Sequence, residues 1–319
     1  MAANTVRKQT LRLAALGIAA MFFVGFLSGA IVRGTDDALL PKPEIHLQPV
    51  PIWGGVVEDS SGDHGHGEVH KLNPSGFAIT NTLLSSWLSS ILIIALFFLG
   101  TRKIAMVPKG VQNFIEAIIS AMYGFVESVA GSNNTRRFFP FFATIFLFVL
   151  VNAWLGLLPI YPSLGFKDIE GEITRHLLRP AGTDLNMPLA LAIVSFVFVE
   201  YWAIRTLGLG YFKKFFRFAG LIRVRNPQTL FQAFIDIFVG LLELLSELVR
   251  VVSFTFRLFG NMTAGEILLL VTAFLVPFVF VLPFYGLEIL VGFIQALIFA
   301  GLTLVFVTIA IMPHEGEGH

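Results

Sequence analysis

The chain contains no cysteine, which excludes disulfides, thiolate metal sites and cysteine nucleophiles. Charge is scarce: 13% of the 319 residues are Asp, Glu, Lys or Arg, about half the share usual in water-soluble domains. The net charge is +1, too small for a bulk attraction to nucleic acid. No phosphate loop of the form G-x-x-x-x-G-K-[ST] occurs, and no G-x-S-x-G nucleophile motif. Nothing in the sequence calls for a cofactor. There is no internal repeat, which weighs against transporters built from inverted halves.

What the chain has is apolar surface. It is 55% hydrophobic, with 34 Phe and a mean hydropathy of +0.79. A water-soluble globule cannot hide so many apolar side chains, so the bilayer is the expected solvent. A hydrocarbon core of about 30 Å needs roughly 20 apolar residues of helix. Residues 1–32 carry Arg7, Lys8 and Arg12 before or within an apolar run, which fits either a retained anchor or a cleaved signal. Residues 33–78 read as an acidic, proline-broken aqueous loop. It contains His64, His66 and His70, but Gly65 and Gly67 between them set no ligand geometry.

Residues 79–319 form the membrane core. Spans are expected near 81–100, 138–159 and 185–204, and residues 108–130 suit an amphipathic helix at the membrane surface. Two long apolar segments follow, near 229–274 and 277–312, with Pro277 and Pro283 marking the turn between them. At 1.5 Å per residue the first would reach about 68 Å, so it must tilt, bend or lie partly in the membrane plane. The fold class is thus an all-α integral membrane protein, with about five transmembrane helices in the core plus an N-terminal hydrophobic segment, the last two helices long, tilted and packed as a hairpin. Basic clusters at 102–109, 136–137 and 205–225 fall on one side if the crossings alternate. That side is cytoplasmic by the positive-inside rule, and the C-terminus lies there.

A polar stripe runs through the fourth core segment. Asp236, Glu243, Ser246, Glu247, Arg250, Ser253, Arg257 and Asn261 recur at intervals of three, four or seven, which places neighbours on one helix face. Lipid does not tolerate such a stripe, so it must face protein or a water-filled path. Glu247 and Arg250, three apart, suit an intrahelical ion pair. The nearest same-face neighbours of Arg257 are Ser253, Phe254, Gly260 and Asn261, none acidic, so its partner must lie on another helix or another chain. In the last segment Glu288, Gly292 and Gln295 share a face, and Gly260, Gly265 and Gly292 allow close helix approach. Asp184 and Asn186 suit helix capping, and Asn152 is a further polar residue at a span end.

The stretch "FRLFGNMTAGE" at 256–266, followed by "IQALIF" at 294–299, resembles subunit a of the F-type ATP synthase. Further support is spread over residues 79–312, in "PKGVQNFIEAI", "FFPFFATIFLFVLVNAWLGLLP", "TDLNMPLALAI" and "SELVRVVSFTFRLFGNM". The resemblance implies a non-catalytic, proton-translocating stator subunit. Its expected partners are a ring of rotor c subunits, peripheral-stalk b subunits and the remaining synthase subunits, in a bacterial inner membrane. The carried ion is H⁺, with Na⁺ open. The resemblance makes Arg257 the barrier between two offset half-channels. Glu266, Glu288, Asn261 and Gln295 match positions around the uptake half-channel, and Glu243 and Ser246 match the cytoplasmic exit. Many members of the family carry a His at one of the first two positions, where this chain has Glu at both, and two nearby desolvated carboxyls are expected to share a proton. A self-contained transporter or channel is the competing reading, and a membrane enzyme using the His64–His70 cluster is a third. Glu266→Gln and Glu288→Gln are each expected to lower proton uptake; unchanged uptake and pH profile in both would remove the assignment.

Overall fold

The computed structural model describes residues 51–53, 57–58, 71–72, 79–102, 110–158, 161, 164–167, 173–208, 211, 227–275 and 281–312. The N-terminal segment, the His64–His70 cluster, Lys103, Lys109, the 213–225 basic cluster and Pro277 lie outside the described residues. Among the described residues six α-helices carry the architecture: α1 (Asn81–Thr101), α2 (Val111–Ala130), α3 (Ser132–Gly156), α4 (Asn186–Leu207), α5 (Pro227–Leu275) and α6 (Val281–Ala310). Short strands flank them: β1 (Pro51–Trp53), β2 (Val57–Glu58), β3 (Lys71–Leu72), β4 (Ile79–Thr80), β5 (Gly165–Lys167) and β6 (Ile173–His176). β1 pairs with β4, β2 with β3 and β5 with β6, all antiparallel. Within the 33–78 segment the described residues are those of β1, β2 and β3. These short alternating stretches carry little periodicity, and their pairing depends on residues distant in the chain.

Exposure is inverted relative to a soluble protein. On α1 the buried residues are Asn81, Thr82, Ser85, Ser89 and Gly100, whereas Ile94 is 68% exposed. The polar side faces the bundle and the apolar side faces outward, as a lipid solvent requires. Among the described residues, α1, α3, α4 and α6 are long and apolar enough to cross a membrane. α5 has 49 residues, about 74 Å of helix. It runs unbroken, and Pro227 opens it, where proline's fixed φ and missing N–H suit a first helical position.

α2 is the amphipathic helix expected, burying Ile115, Met122, Val126 and Ala130 along one face. Gly131 both ends α2 and begins α3. Its N–H donates to Glu127 O at 3.0 Å, and its own carbonyl accepts from Thr135 at 3.2 Å. Its φ of 76° is a conformation in which a Cβ would be strained.

α3 and α6 form the centre. Phe138, Phe142, Phe146 and Val149 of α3 join Ala296, Phe299, Ala300 and Leu304 of α6 in one cluster. The helices approach closely because Gly292 has no side chain: a Cβ there would meet Ala153 Cβ at 3.0 Å. Trp154 Nε1 also donates to Ile289 O at 3.1 Å. α4 docks through small residues, with Ser195 Oγ and Thr303 Oγ1 2.6 Å apart, a packing mode suited to lipid. α5 and α6 are the antiparallel hairpin expected. Arg250 meets Phe306, Phe254 meets Phe299, Asn261 meets Gln295 and Gly265 meets Glu288, so numbers fall along α6 as they rise along α5. One detail differs from expectation. Pro283 lies inside the first turn of α6, where proline is tolerated. Gly260 faces open space, with nothing within 4 Å of a Cβ among the described residues.

Gly292→Val is expected to lower stability by about 1–3 kcal/mol through overpacking, read as earlier thermal aggregation in detergent. Gly260→Ala should leave that transition unchanged or raise it.

Candidate functional site

The bundle has two polar ends, joined along the α5–α6 hairpin. At the first end, where α1, α4 and α6 begin, α1 supplies a ladder of small hydroxyls. Thr80 opens it by accepting the Leu83 N–H at 3.3 Å, a standard cap. Ser89 Oγ lies 2.9 Å from Asn152 Oδ1 of α3, and both residues are buried. Thr82 Oγ1 donates to Asp184 Oδ2 at 2.8 Å. The other Asp184 oxygen accepts from the Asn186 backbone at 3.1 Å, so Asp184 stabilises the start of α4, as its residue type suggested. Tyr161 is 4% exposed. Burial pushes its phenol upward, partly countered by a hydrogen bond with Ser85.

The loop between β6 and α4 enters this end from outside the helices. Its Arg179 is 8% exposed and reaches Glu266 of α5, Nη2 to Oε2 3.1 Å. Sequence reading passed over Arg179. Its signal was present, as a lone Arg in an apolar "HLLRPAG" run, but loop-to-helix distance is not written in local spacing. Glu288 lies one residue away from this pair in space: its carboxyl occupies the volume that a Cβ on Gly265 would fill. One turn nearer the middle, Asn261 Nδ2 donates to Gln295 Oε1 at 2.7 Å. Gln295 is 3% exposed, and its Nε2 has no partner among the described residues. The structure thus brings Glu266, Glu288, Asn261 and Gln295 together along one seam.

Arg257 stands at the middle of α5, half-buried. Its guanidinium carbon is 5.9 Å from the Phe254 ring centroid, and it makes no ion pair or hydrogen bond with a described residue. Beside it, Gly260 and Asn261 are exposed, as is Phe256. The stripe therefore follows the edge between the packed face and an outer face, rather than pointing wholly inward.

At the second end, Glu247 is 5% exposed and pairs with Arg250, Nη1 to Oε2 2.6 Å, as the spacing suggested. The Arg250 guanidinium lies 3.9 Å over the Phe306 ring, a cation–π contact that ties α5 to α6. Tyr211 Oη donates to Glu200 Oε1 at 3.0 Å, and burial, then the Glu200 charge, pushes that phenol upward. Glu243 is half-buried, whereas Ser246 is exposed and donates to Leu242 O of its own helix at 2.8 Å. Arg137 and Arg205 both lie over Trp202, at 6.0 and 5.3 Å. Among the described residues no group of three His, Asp or Glu could hold a metal ion.

A family model described as ATP synthase A chain matches residues 83–308. ATP synthase subunit a of Gloeobacter violaceus is 35% identical over 234 residues, 73% of this chain and 85% of its own length. Subunit a of Mycobacterium marinum is 35% identical over 262 residues, 79% of this chain and 95% of its own. Subunit a of Mycobacterium ulcerans is 36% identical over 248 residues, 75% and 90% respectively.

The Asn261–Gln295 bond generates a stability test. Asn261→Leu removes the donor to a buried amide and is expected to cost about 1 kcal/mol. Adding Gln295→Leu should recover most of that loss in a double-mutant cycle, measured by thermal denaturation of the detergent-solubilised protein.

Proposed function

The chain belongs to the ATP synthase A chain family and is a multi-pass membrane protein, and on that premise we propose that it is the stationary ion-translocating subunit of a rotary ATP synthase. The observation that carries this reading is Arg257: a cation without an ion-pair partner among the described residues, at the edge of an open apolar face. A lone guanidinium is costly in lipid, and a carboxylate on a ring of moving c subunits supplies the missing counter-charge. The chain itself performs no ATP chemistry, which resides on other subunits, and b subunits of a peripheral stalk hold it still.

Two polar regions flank Arg257 and support two half-channels. The first end, with Ser85, Ser89, Asn152, Glu266 and Glu288, takes up protons from the non-cytoplasmic side. Asn261 and Gln295 continue that path toward Arg257. The second end, with Glu243 and Ser246 on the outer part of α5, releases them. The described basic residues Arg102, Arg136, Arg137 and Arg205 belong to the second end, which favours a cytoplasmic position for it and for the C-terminus, in a bacterial inner membrane.

Guanidinium suits the barrier because it does not give up its proton in proteins. It blocks direct proton passage between the half-channels, while its charge favours ionisation of an approaching rotor carboxyl. Lysine would lose its charge more readily on burial. The ion that fits this chemistry is H⁺; Na⁺ is also compatible with it, since the binding carboxyl belongs to the rotor.

Arg257→Ala is expected to abolish ATP-driven proton pumping in membranes holding the whole complex, while the chain still co-purifies with its c ring. Full pumping by that variant would overturn the reading.

A further inference from the structure

The two uptake-side carboxyls, Glu266 and Glu288, have unlike surroundings. Glu266 faces a cation whose position is set from three directions. Ser85 Oγ of α1 accepts the Arg179 backbone N–H at 3.2 Å. The next residue, Pro180, packs on Gly156, where a Cβ would meet its Cγ at 2.8 Å. Gly182 rests on Met262, one turn before Glu266, where a Cβ would meet Cγ at 2.8 Å. The Arg179 side chain is 9% exposed and that of Glu266 29%. An arginine on a loop pinned in this way holds its partner rather than following it.

Glu288 has no such support. It makes no ion pair or hydrogen bond with a described residue, and its carboxyl lies over Gly265. Among the described residues, the charged groups shown at this seam are Arg179 from the loop and the two carboxyls themselves, while Asp184, at the same end, is engaged by Thr82 and Asn186. α1 and α3 present neutral Ser85, Ser89 and Asn152, and the loop after α3 adds the Tyr161 phenol. A carboxylate locked to a buried guanidinium keeps its charge, because separating the pair would strand the cation. A carboxyl with no fixed counter-ion is free to exchange a proton with water.

We propose that Arg179 is a positioning residue that divides the pair, holding Glu266 as a stationary carboxylate and leaving Glu288 as the group that takes up and releases the proton. This rests on the ion-translocating reading above. The step is proton transfer alone: a proton from the aqueous side binds a Glu288 oxygen and leaves from it toward the rotor, while Arg179 and Glu266 exchange none.

The test uses the whole complex in membranes. Arg179→Gln should slow ATP-driven pumping about tenfold, a barrier change of about 1.4 kcal/mol, because it strands the Glu266 charge. Arg179→Lys should retain most of the rate. The double variant Arg179→Gln/Glu266→Gln should pump several-fold faster than Arg179→Gln. Independently, dicyclohexylcarbodiimide, which adds to protonated carboxyls, should label Glu288 and not Glu266 in the unmodified complex, read by peptide mass spectrometry. In Arg179→Gln the label should appear on Glu266 as well. Labelling of Glu266 in the unmodified complex, or a double variant no faster than Arg179→Gln, overturns the proposal. The labelling needs no variant to assemble. Pumping by Arg257→Ala is a separate outcome that would overturn the ion-translocating reading itself.

Discussion

An apolar solvent tolerates a charge only where something compensates it, and Glu247, Arg250, Arg257 and Glu266 of α5 meet that demand in different ways. Glu247 is compensated within its own helix by Arg250, and Arg250 in turn rests on Phe306 of α6. Glu266 is compensated by Arg179 from a loop. The two satisfied pairs lie on either side of Arg257, which has no counter-charge among the described residues.

Close packing serves the same end. Glycine at 265 leaves room for the Glu288 carboxyl, and glycine at 292 lets α6 settle against Ala153 of α3. The buried Gln295 then reaches Asn261 across the hairpin. These contacts follow one another along the antiparallel pair, so a shift of register would separate all of them together. Phe254 and Leu258 of α5 join the α3–α6 core, Phe254 against Phe299, which makes apolar packing a condition for the polar seam.

Much of this was legible from spacing. Apolar runs of about 20 residues marked the crossing helices, the Glu247–Arg250 interval marked an ion pair, and the face shared by Glu288, Gly292 and Gln295 is the one α6 turns inward. Gly260 has no neighbour within 4 Å of a Cβ among the described residues; glycine permits close approach without saying which partner approaches. Arg179 escaped notice. Its neighbours Leu177, Leu178 and Pro180 say only that it sits in a loop.

The amino-acid sequence by itself determined the solvent, the helices and which residues share a helix face, because hydropathy and the 3.6-residue period are properties of neighbours along the chain. Only the tertiary structure decided which faces meet. The contact of Arg179 with Glu266 spans 87 positions, and that of Asn261 with Gln295 spans 34. Such pairs depend on how loops fold back and how far helices slide before their side chains interlock, and no local pattern encodes either distance.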